Sequence, residues 1–385
     1  MVLAIPLAWL QISREKLRMT IALLGVAFAV VLIFMQLGFR EALFESAVRY
    51  HSSFRYDLAL FSKKSNFIVQ PEQFSRRRLY QILGRPEVED VKSVYVGQAI
   101  WRNPAAWNET RSIYVVGFDP SESVFSLPDI DSARDQLRLP DQVLYDRTSR
   151  PEYGPVTRLF EESGSVETEI GGRLVKVVGL FSLGTSFGID AAVVTSDLNF
   201  LRIFPHRNPA LIDIGLIELV PGADPVAVGA EIRAELPGDV HVYTRDEFVR
   251  AEVAYWNGNT PIGFVFFFGT VIGIVVGGII VYQILFSDVS DHLQEYATLK
   301  AMGYTDGYLF KVVLQEAAIL AVLGFLPGLA VCLLLYRLAG DATSLPIAMT
   351  WERGVVVLGL TVGMCCLSGA MALRKVRSAD PADVF

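Results

Sequence analysis

The chain has 385 residues, of which 52% are hydrophobic, and a formal net charge of −7. Its mean hydropathy of +0.39 is too high for an ordinary soluble protein. Because the apolar runs are confined to the two ends, the composition predicts a membrane protein with a large soluble insert. The acidic balance offers no basic stripe that could neutralise phosphates, which argues against nucleic acid as a partner. All three cysteines lie within apolar runs, so no disulfide framework is implied.

The amino-terminal part, residues 1–39, combines a basic flank with an apolar run. Residues 5–18 mix apolar and basic side chains, which is typical of a helix lying on the membrane surface. Residues 19–37 are then long and apolar enough to cross a bilayer. A cleaved signal peptide has the same order of features. This apolar core is long for a signal peptide and no small-residue cleavage site follows cleanly, so the pattern favours an uncleaved anchor.

Residues 40–261 form the insert, which is long enough for one domain with its own core or for two small lobes. Segments rich in valine, isoleucine and aromatic residues interleave with helical patterns, which predicts a mixed α/β domain. Gly171 and Gly172 stand between two of the predicted strands and predict a two-residue β-hairpin. Residues 121–155 are rich in proline and aspartate and are expected to be irregular. The predicted strands are 56–61, 92–101, 111–118, 166–170, 173–181, 191–195 and 212–220, and the predicted helices are 71–83, 197–204, 224–236 and 244–255.

Three further apolar runs follow the insert, at residues 262–286, about 317–336, and 354–373, so the sequence predicts four membrane spans. Glycines recur every four residues in all three runs, and such spacing lets helix backbones approach closely. The pattern predicts packing within a bundle or along a dimer seam, although glycine is also simply common in membrane helices. Pro327 is expected to kink the third span. The predicted packing glycines are Gly269, Gly273, Gly277, Gly324, Gly328, Gly359 and Gly363.

Basic residues flank both ends of the predicted bundle. They lie at residues 14–18, before the first span, and at 374–377, in the tail formed by residues 374–385. This distribution predicts that both termini are cytoplasmic. The excess of basic residues near the two termini is weakened by three arginines that follow the first span, Arg40, Arg49 and Arg55.

A polar segment, residues 287–316, separates the second and third predicted spans. Its pattern predicts a short helix that stops at Gly303 and a second helix, capped by Thr305 or Asp306, that continues into the third span. An ordinary interfacial loop is the alternative. Glu316 is a candidate functional carboxylate because it lies inside an apolar run, whereas snorkelling or pairing with Lys311 is the ordinary explanation.

Residues 184–188 read GTSFG, which has the form of a catalytic G-x-S-x-G motif. A nucleophile elbow requires a helix directly after the serine, but residues 189–195 are predicted to be a strand. A general base would have to be His206 or His241, and neither lies in a recognisable context. We therefore interpret the glycines as part of a tight turn. The sequence contains no P-loop for ATP phosphates, and no H-E-x-x-H pattern or paired-cysteine cluster for a metal.

Four stretches resemble the MacB/FtsX-type ABC transporter permeases, most closely their DevC branch. EYATLKAMGYT, in the 287–316 segment, carries the Glu-x-x-x-Leu-Lys-Ala-x-Gly pattern of that branch. The others are KLRMTIALLGVAFAV at residues 16–30, LGTSFGIDAAVVTSDLNFLRIF at 183–204 and RKVRSADPADVF at 374–385. These stretches are spread over essentially the whole chain.

The resemblance implies a membrane protein with four transmembrane α-helices and a large mixed α/β extracytoplasmic domain, residues 40–261, inserted between the first and second spans. This domain would be the MacB-like core domain, and residues 317–373 would complete an FtsX-like permease domain. The protein would be a homodimer in the bacterial inner membrane, with both termini cytoplasmic. It would bind no cofactor itself, and ATP and Mg²⁺ would bind a separate ABC ATPase subunit.

By the same resemblance, the 287–316 segment would be a cytoplasmic coupling segment. A periplasmic adaptor, an outer-membrane exit duct and an amphiphilic cargo such as a glycolipid would complete an exporter. Two alternatives remain: an FtsX-like regulator of a cell-wall hydrolase, and a lipoprotein-release permease, which would present an apolar groove to the membrane. A membrane-anchored enzyme would depend on Ser186. The residues expected to seat on the ATPase are Glu295, Tyr296, Leu299, Lys300, Met302 and Gly303.

Overall fold

The computed structural model describes residues 16–186, 188–292, 294, 298, 302–343 and 345–377. The chain divides into two compact units. One, here called the sheet-rich unit, is Leu43–Thr260, and the other, the helical unit, comprises Met1–Ala42 and Pro261–Phe385.

The helical unit contains, within the described residues, four helices that are long and apolar enough to cross a membrane. This confirms the predicted number of apolar helices. Each helix extends beyond the apolar run that predicted it, because polar residues at its ends continue the same backbone hydrogen bonding. Pro327 lies inside the third helix, which continues on both sides of it. In chain order, the spans are Lys16–Ala47, Pro261–Asp291, Asp306–Thr343 and Trp351–Arg377.

The core of the helical unit is built around the first span. Val26, Val30, Ile33 and Phe34 of this helix expose none of their surface, and they pack with apolar residues of the other three spans. The ring of Phe34 lies 5.8 Å from that of Phe325 on the third span. Burial of this kind stabilises a helix that has few polar contacts along its middle.

The sheet-rich unit contains a mixed sheet of nine described strands, in the order β11-β1-β10-β3-β4-β8-β5-β7-β6, and a two-stranded sheet of β2 and β9. β6 also pairs with β3 through Ile170 and Trp101, so the strands from β3 to β6 close on themselves. The strands are β1 (Leu58–Ser62), β2 (Phe74–Ser75), β3 (Val88–Asn103), β4 (Ala106–Phe118), β5 (Gln142–Asp146), β6 (Val166–Ile170), β7 (Arg173–Phe181), β8 (Ala192–Ser196), β9 (Leu211–Ile212), β10 (Ile214–Leu219) and β11 (Val240–Thr244).

The large sheet has a hydrophobic core on each face. In β1, Leu58 and Leu60 belong to one core, whereas Ala59 and Phe61 belong to the other. Successive side chains of a strand point to opposite faces, so a strand buried on both sides reads as a continuous apolar run. The remaining helices of the unit are Arg49–Ser53, Arg77–Ile82, Pro128–Ala133, Val156–Ser163, Asp197–Ile203, Pro225–Glu235 and Arg245–Gly258, with short 3-10 turns at Arg134–Arg138 and Pro151–Tyr153.

Local signals predicted several of these elements correctly. The hairpin at Gly171 and Gly172 is confirmed: their φ angles are +59° and +79°, and Ile170 pairs with Arg173. Thr244 caps Arg245–Gly258 in a capping box with Glu247. The strands predicted at 166–170 and 173–181 have the predicted bounds, four others are present with shifted ends, and 212–220 is divided between β9 and β10. The helices predicted at 197–204, 224–236 and 244–255 are confirmed.

Two predictions about the insert were wrong. Residues 71–83 are not one helix, because Phe74 is buried and pairs with Ile212 in the small sheet, which leaves only Arg77–Ile82 helical. Residues 121–155 are not irregular, because they contain Pro128–Ala133 and β5. β5 lies between β8 and β7 in the large sheet, so long-range pairing fixes a segment whose local composition favours turns.

Candidate functional site

The two ends of the 287–316 segment are packed onto the helical unit by a small apolar cluster. Val289 of the second span is completely buried against Leu309 and Val313 of the third span and Leu373 of the fourth. We call these four residues the basal cluster. The basal cluster therefore joins the second, third and fourth spans.

Next to the basal cluster lies an exposed turn. Met302 exposes 63% of its surface, and Tyr304 exposes 46%. Between them, Gly303 has a φ of +93°, which favours glycine and is typical of the residue after a helix end. The third helix begins at Asp306, and the N–H of Tyr308 donates to the carbonyl of Thr305 at 2.9 Å. Methionine and tyrosine are common anchors of protein interfaces, so this turn offers a partner an apolar contact.

The structure therefore places two of the six predicted coupling residues, Met302 and Gly303, on this exposed turn. Glu295, Tyr296, Leu299 and Lys300 lie outside the described residues. Their role in binding an ATPase stays a prediction.

Glu316 lies in the interior of the helical unit. It exposes none of its surface, and neither carboxylate oxygen has a hydrogen-bond partner among the described residues. The prediction that Glu316 snorkels or pairs with Lys311 was therefore wrong. Asp288 on the second span lies close enough to act on Glu316 electrostatically, and Asp288 Oδ1 is 3.7 Å from Nδ1 of His292. A buried acidic side chain without a partner is costly, which keeps Glu316 a functional candidate.

Five of the seven predicted packing glycines lie against the first span. A Cβ would overlap first-span atoms at four of these positions and would make a tight contact at Gly273. The missing side chains therefore let the second and third spans approach the first span closely. Built Cβ atoms on Gly277, Gly324 and Gly328 would lie 2.5 to 2.8 Å from first-span atoms. The contacts are Gly269 with Gln36, Gly273 with Ile33, Gly277 with Ala29, Gly324 with Val26, and Gly328 with Val30.

Gly359 and Gly363 differ from these five. A Cβ on either would meet no described atom within 4 Å. These two glycines therefore make no close contact within the described chain, and a dimer seam at this face stays a prediction. The four-residue spacing also missed Gly25, which lies against Ile280, and Gly38, which lies against Tyr336.

A polar cluster that the sequence did not indicate joins the spans at the other end of the third helix. Arg353, near the start of the fourth span, exposes 5% of its side chain. Its Nη2 donates to Oε2 of Glu41 at 2.6 Å, and its Nη1 donates to the carbonyl of Ala348 at 2.8 Å. The hydroxyl of Tyr336 donates to the carbonyl of Phe34 at 2.5 Å. We call Phe34, Glu41, Tyr336, Ala348 and Arg353 the Arg353 cluster.

In the sheet-rich unit, the described residues of the GTSFG run, which are all but Phe187, form an anchored turn. Asp146, which is 1% exposed, accepts from the N–H of Gly184 at 2.8 Å, and Arg49 donates to the carbonyl of Thr185 at 3.2 Å. Ser186 and Ile189 exchange backbone hydrogen bonds at 2.9 and 3.0 Å. The strand β8 follows instead of the helix that a nucleophile elbow requires. The geometry is that of a tight turn.

The described residues contain no group of three or more His, Cys, Asp or Glu side chains that could hold a metal ion.

The carboxyl-terminal part of the chain matches a known family. Residues 265–381 match the family model described as FtsX-like permease C-terminal. This part of the chain is similar to FtsX-like permease domains. It contains the 287–316 segment, the basal cluster and the predicted glycines of the second, third and fourth spans. The predicted resemblance is therefore confirmed for these residues, while the DevC branch stays a prediction.

Similar proteins were found for larger parts of the chain. The uncharacterized ABC transporter permease YknZ of Bacillus subtilis (strain 168) is 25% identical over 250 residues, which cover 63% of this chain and 58% of that permease. The periplasmic region of MacB from Actinobacillus actinomycetemcomitans is 10% identical with a TM-score of 0.34, and covers 49% of this chain and 88% of that one. The extracellular domain of the noncanonic ABC-type transporter YknZ from Gram-positive bacteria is 14% identical with a TM-score of 0.33. The match covers 49% of this chain and 99% of that domain.

Proposed function

We propose that this chain is the transmembrane permease subunit of an ABC transporter of the FtsX/MacB type. ATP and Mg²⁺ would bind a separate ATPase subunit, since the sequence has no P-loop. The observation that carries the proposal is the FtsX-like permease domain with its 287–316 segment. The similarity to an ABC transporter permease supports it.

The ATPase docks on the coupling segment, residues 287–316. The exposed turn at Met302 and Tyr304 supplies an apolar contact, and Glu295, Tyr296, Leu299 and Lys300 complete the docking surface. Movement of this segment passes through the basal cluster into the second, third and fourth spans. The first and second spans flank Leu43–Thr260 in the chain, so their relative motion drives that unit.

The remaining parts of the proposal follow the resemblance. The chain forms a homodimer in the bacterial inner membrane, with both termini in the cytoplasm and Leu43–Thr260 outside it. A periplasmic adaptor and an outer-membrane exit duct join it, as in the DevC branch. The cargo is an amphiphile such as a glycolipid.

Co-purification tests this proposal. The tagged chain, extracted from its own membranes in mild detergent, should recover an ABC ATPase that is identified by mass spectrometry. The double variant Leu299→Asp/Met302→Asp should lose at least about tenfold of that ATPase, because charge at an apolar contact costs about 1.4 kcal/mol or more and each 1.4 kcal/mol is tenfold in affinity. Leu198→Asp is the matched control, since Leu198 is an equally apolar side chain, 69% exposed, in the sheet-rich unit. Recovery of no ABC ATPase by the wild-type chain would refute the proposal.

A lipoprotein-release permease is the second candidate, because the helical unit has the apolar groove that this function requires. The groove encloses about 350 Å³ between the second and fourth spans, and Ile274, Ile279, Tyr282, Leu367 and Met371 contribute to its lining. Ile279→Trp would fill it. If this chain releases lipidated proteins, that variant should block release and still bind the ATPase, whereas unchanged release would remove this candidate.

A further inference from the structure

Arg353 connects three separate parts of the helical unit. Its Nε and Nη2 both donate to Oε2 of Glu41 on the first span, at 3.2 and 2.6 Å. Its Nη1 donates to the hydroxyl of Tyr336 on the third span at 3.2 Å, and to the carbonyl of Ala348 before the fourth span at 2.8 Å. The guanidinium is thus held by partners on three sides, which fixes its orientation as well as its position.

Tyr336 closes the cluster. Its hydroxyl donates to the carbonyl of Phe34 on the first span, and the guanidinium carbon of Arg353 lies 5.5 Å from the centre of its ring. Gly38 leaves the space that this hydroxyl occupies, because a side chain there would overlap the tyrosine. The first and third spans are therefore joined directly through Tyr336 and again through Glu41 and Arg353.

This cluster differs in kind from the other contacts of the first span. Elsewhere among the described residues, the first span meets the second and third spans mainly through the glycines and apolar side chains described above, and Gln36 against Gly269 is a polar exception. Apolar contacts resist separation but have little directional preference, so they permit sliding and rotation. Charge-assisted hydrogen bonds are directional and therefore fix one register. Arg353 is buried, whereas Glu41 exposes 56% of its side chain. An ion pair with an exposed partner contributes little to stability, so the value of this pair lies in the geometry that it fixes.

We propose that Arg353 is the positioning residue that fixes the first span to the third and fourth spans, so that motion arriving at the coupling segment reaches the first span. The inference rests on the proposed function for the origin of that motion. Beyond Glu41, the first-span helix continues to Ala47 and supplies the opening residues of Leu43–Thr260. The Arg353 cluster is thus the last link in the helical unit before that chain connection.

The test separates positioning from folding with four variants in nanodiscs. Arg353→Met removes all donors, and Arg353→Lys keeps the charge but not the planar fork of donors. Glu41→Arg/Arg353→Glu restores the ion pair in reverse but not the donation to Ala348. Arg337→Met is the matched control, since Arg337 is an exposed arginine of the third span. Spin labels at Phe28 and Val355, exposed positions of the first and fourth spans, report the distance between the two helices.

We expect a narrow distance distribution in the wild type and the control, a broadened one in Arg353→Met and Arg353→Lys, and one of intermediate width after charge reversal, which restores the ion pair but not the bond to Ala348. Transport or release driven by ATP should fall about tenfold in Arg353→Met, while ATPase binding is kept. An unchanged distance distribution in Arg353→Met would overturn the proposal. Loss of ATPase binding by Arg353→Met, together with loss of ATP-driven transport, would also overturn it. The distance measurement needs no ATPase. A failure of the proposed function would therefore be recognised separately, because no ABC ATPase would co-purify with the wild-type chain.

Discussion

The contact between Gly324 and the first span makes a quantitative prediction about bundle stability. A Cβ at Gly324 would lie 2.6 Å from both Cβ and Cγ1 of Val26 and 3.4 Å from the carbonyl of Leu23. Val26 Cβ is attached directly to the backbone and cannot swing aside. Gly324→Ala therefore forces the first and third spans apart. Gly359→Ala is the matched control, since a Cβ there meets nothing within 4 Å.

Two opposing terms give the size of the effect. Replacing glycine by alanine in a helix interior stabilises the helix by about 1 kcal/mol at both positions. Overpacking at Gly324 costs about 1–3 kcal/mol and is absent at Gly359. Gly324→Ala should therefore be neutral or destabilising by up to about 2 kcal/mol, and Gly359→Ala stabilising by about 1 kcal/mol. The difference between the two variants isolates the steric cost.

Unfolding of the purified variants in one detergent, followed by tryptophan fluorescence, measures this difference. Gly324→Ala should unfold at a lower temperature or denaturant concentration than Gly359→Ala. Equal stability of the two variants would refute the close approach of the first and third spans. A Gly359→Ala variant that is destabilised and loses its dimer would instead place the predicted dimer seam at that face.

Three further predictions concern single side chains. Thr244→Ala removes half of the capping box with Glu247 and should lower the free energy of unfolding by about 1 kcal/mol in urea titrations; no change would contradict the cap. Glu316→Leu removes a buried carboxyl that has no hydrogen-bond partner among the described residues and should raise thermal stability, whereas a lower thermal stability would show that the carboxyl makes a stabilising contact. Burial, with a contribution from Asp119, raises the pKa of Glu122 from 4.5 to about 7. Because the folded state then holds the proton more tightly than the unfolded chain, this residue's contribution to stability is present below about pH 4.5 and is lost as the pH rises through about 7. The stability gain of Glu122→Gln over the wild type should grow across that window, and a pH-independent gain would show that Glu122 is not responsible.

Long, strongly patterned features could be predicted from the sequence. The four apolar helices follow from run lengths that only a membrane or a large core can bury. The hairpin at Gly171 and Gly172 and the cap at Thr244 follow from backbone chemistry that is complete within a few residues.

Features fixed by distant partners could not be predicted. β5 has only five residues and owes its place to β7 and β8, so its own composition does not identify it. The ends of the apolar helices were missed for a related reason: helix hydrogen bonds continue through Glu41 and Arg353, although both residues interrupt the apolar pattern. The same two residues pair with each other in the Arg353 cluster although they are far apart in the sequence. The spacing of residues in the sequence therefore could not predict the contact between Glu41 and Arg353.

Photocrosslinking at Met302 tests whether an ABC ATPase docks on the 287–316 segment. A photoreactive residue at this exposed position, in cells that carry the full complex, should capture an ABC ATPase, identified by mass spectrometry of the adduct. The same residue at Leu198 serves as the control and should capture none. Absence of an ATPase adduct at Met302, with efficient labelling of the chain, would contradict docking on this segment. An equal amount of adduct at Leu198 would contradict it as well.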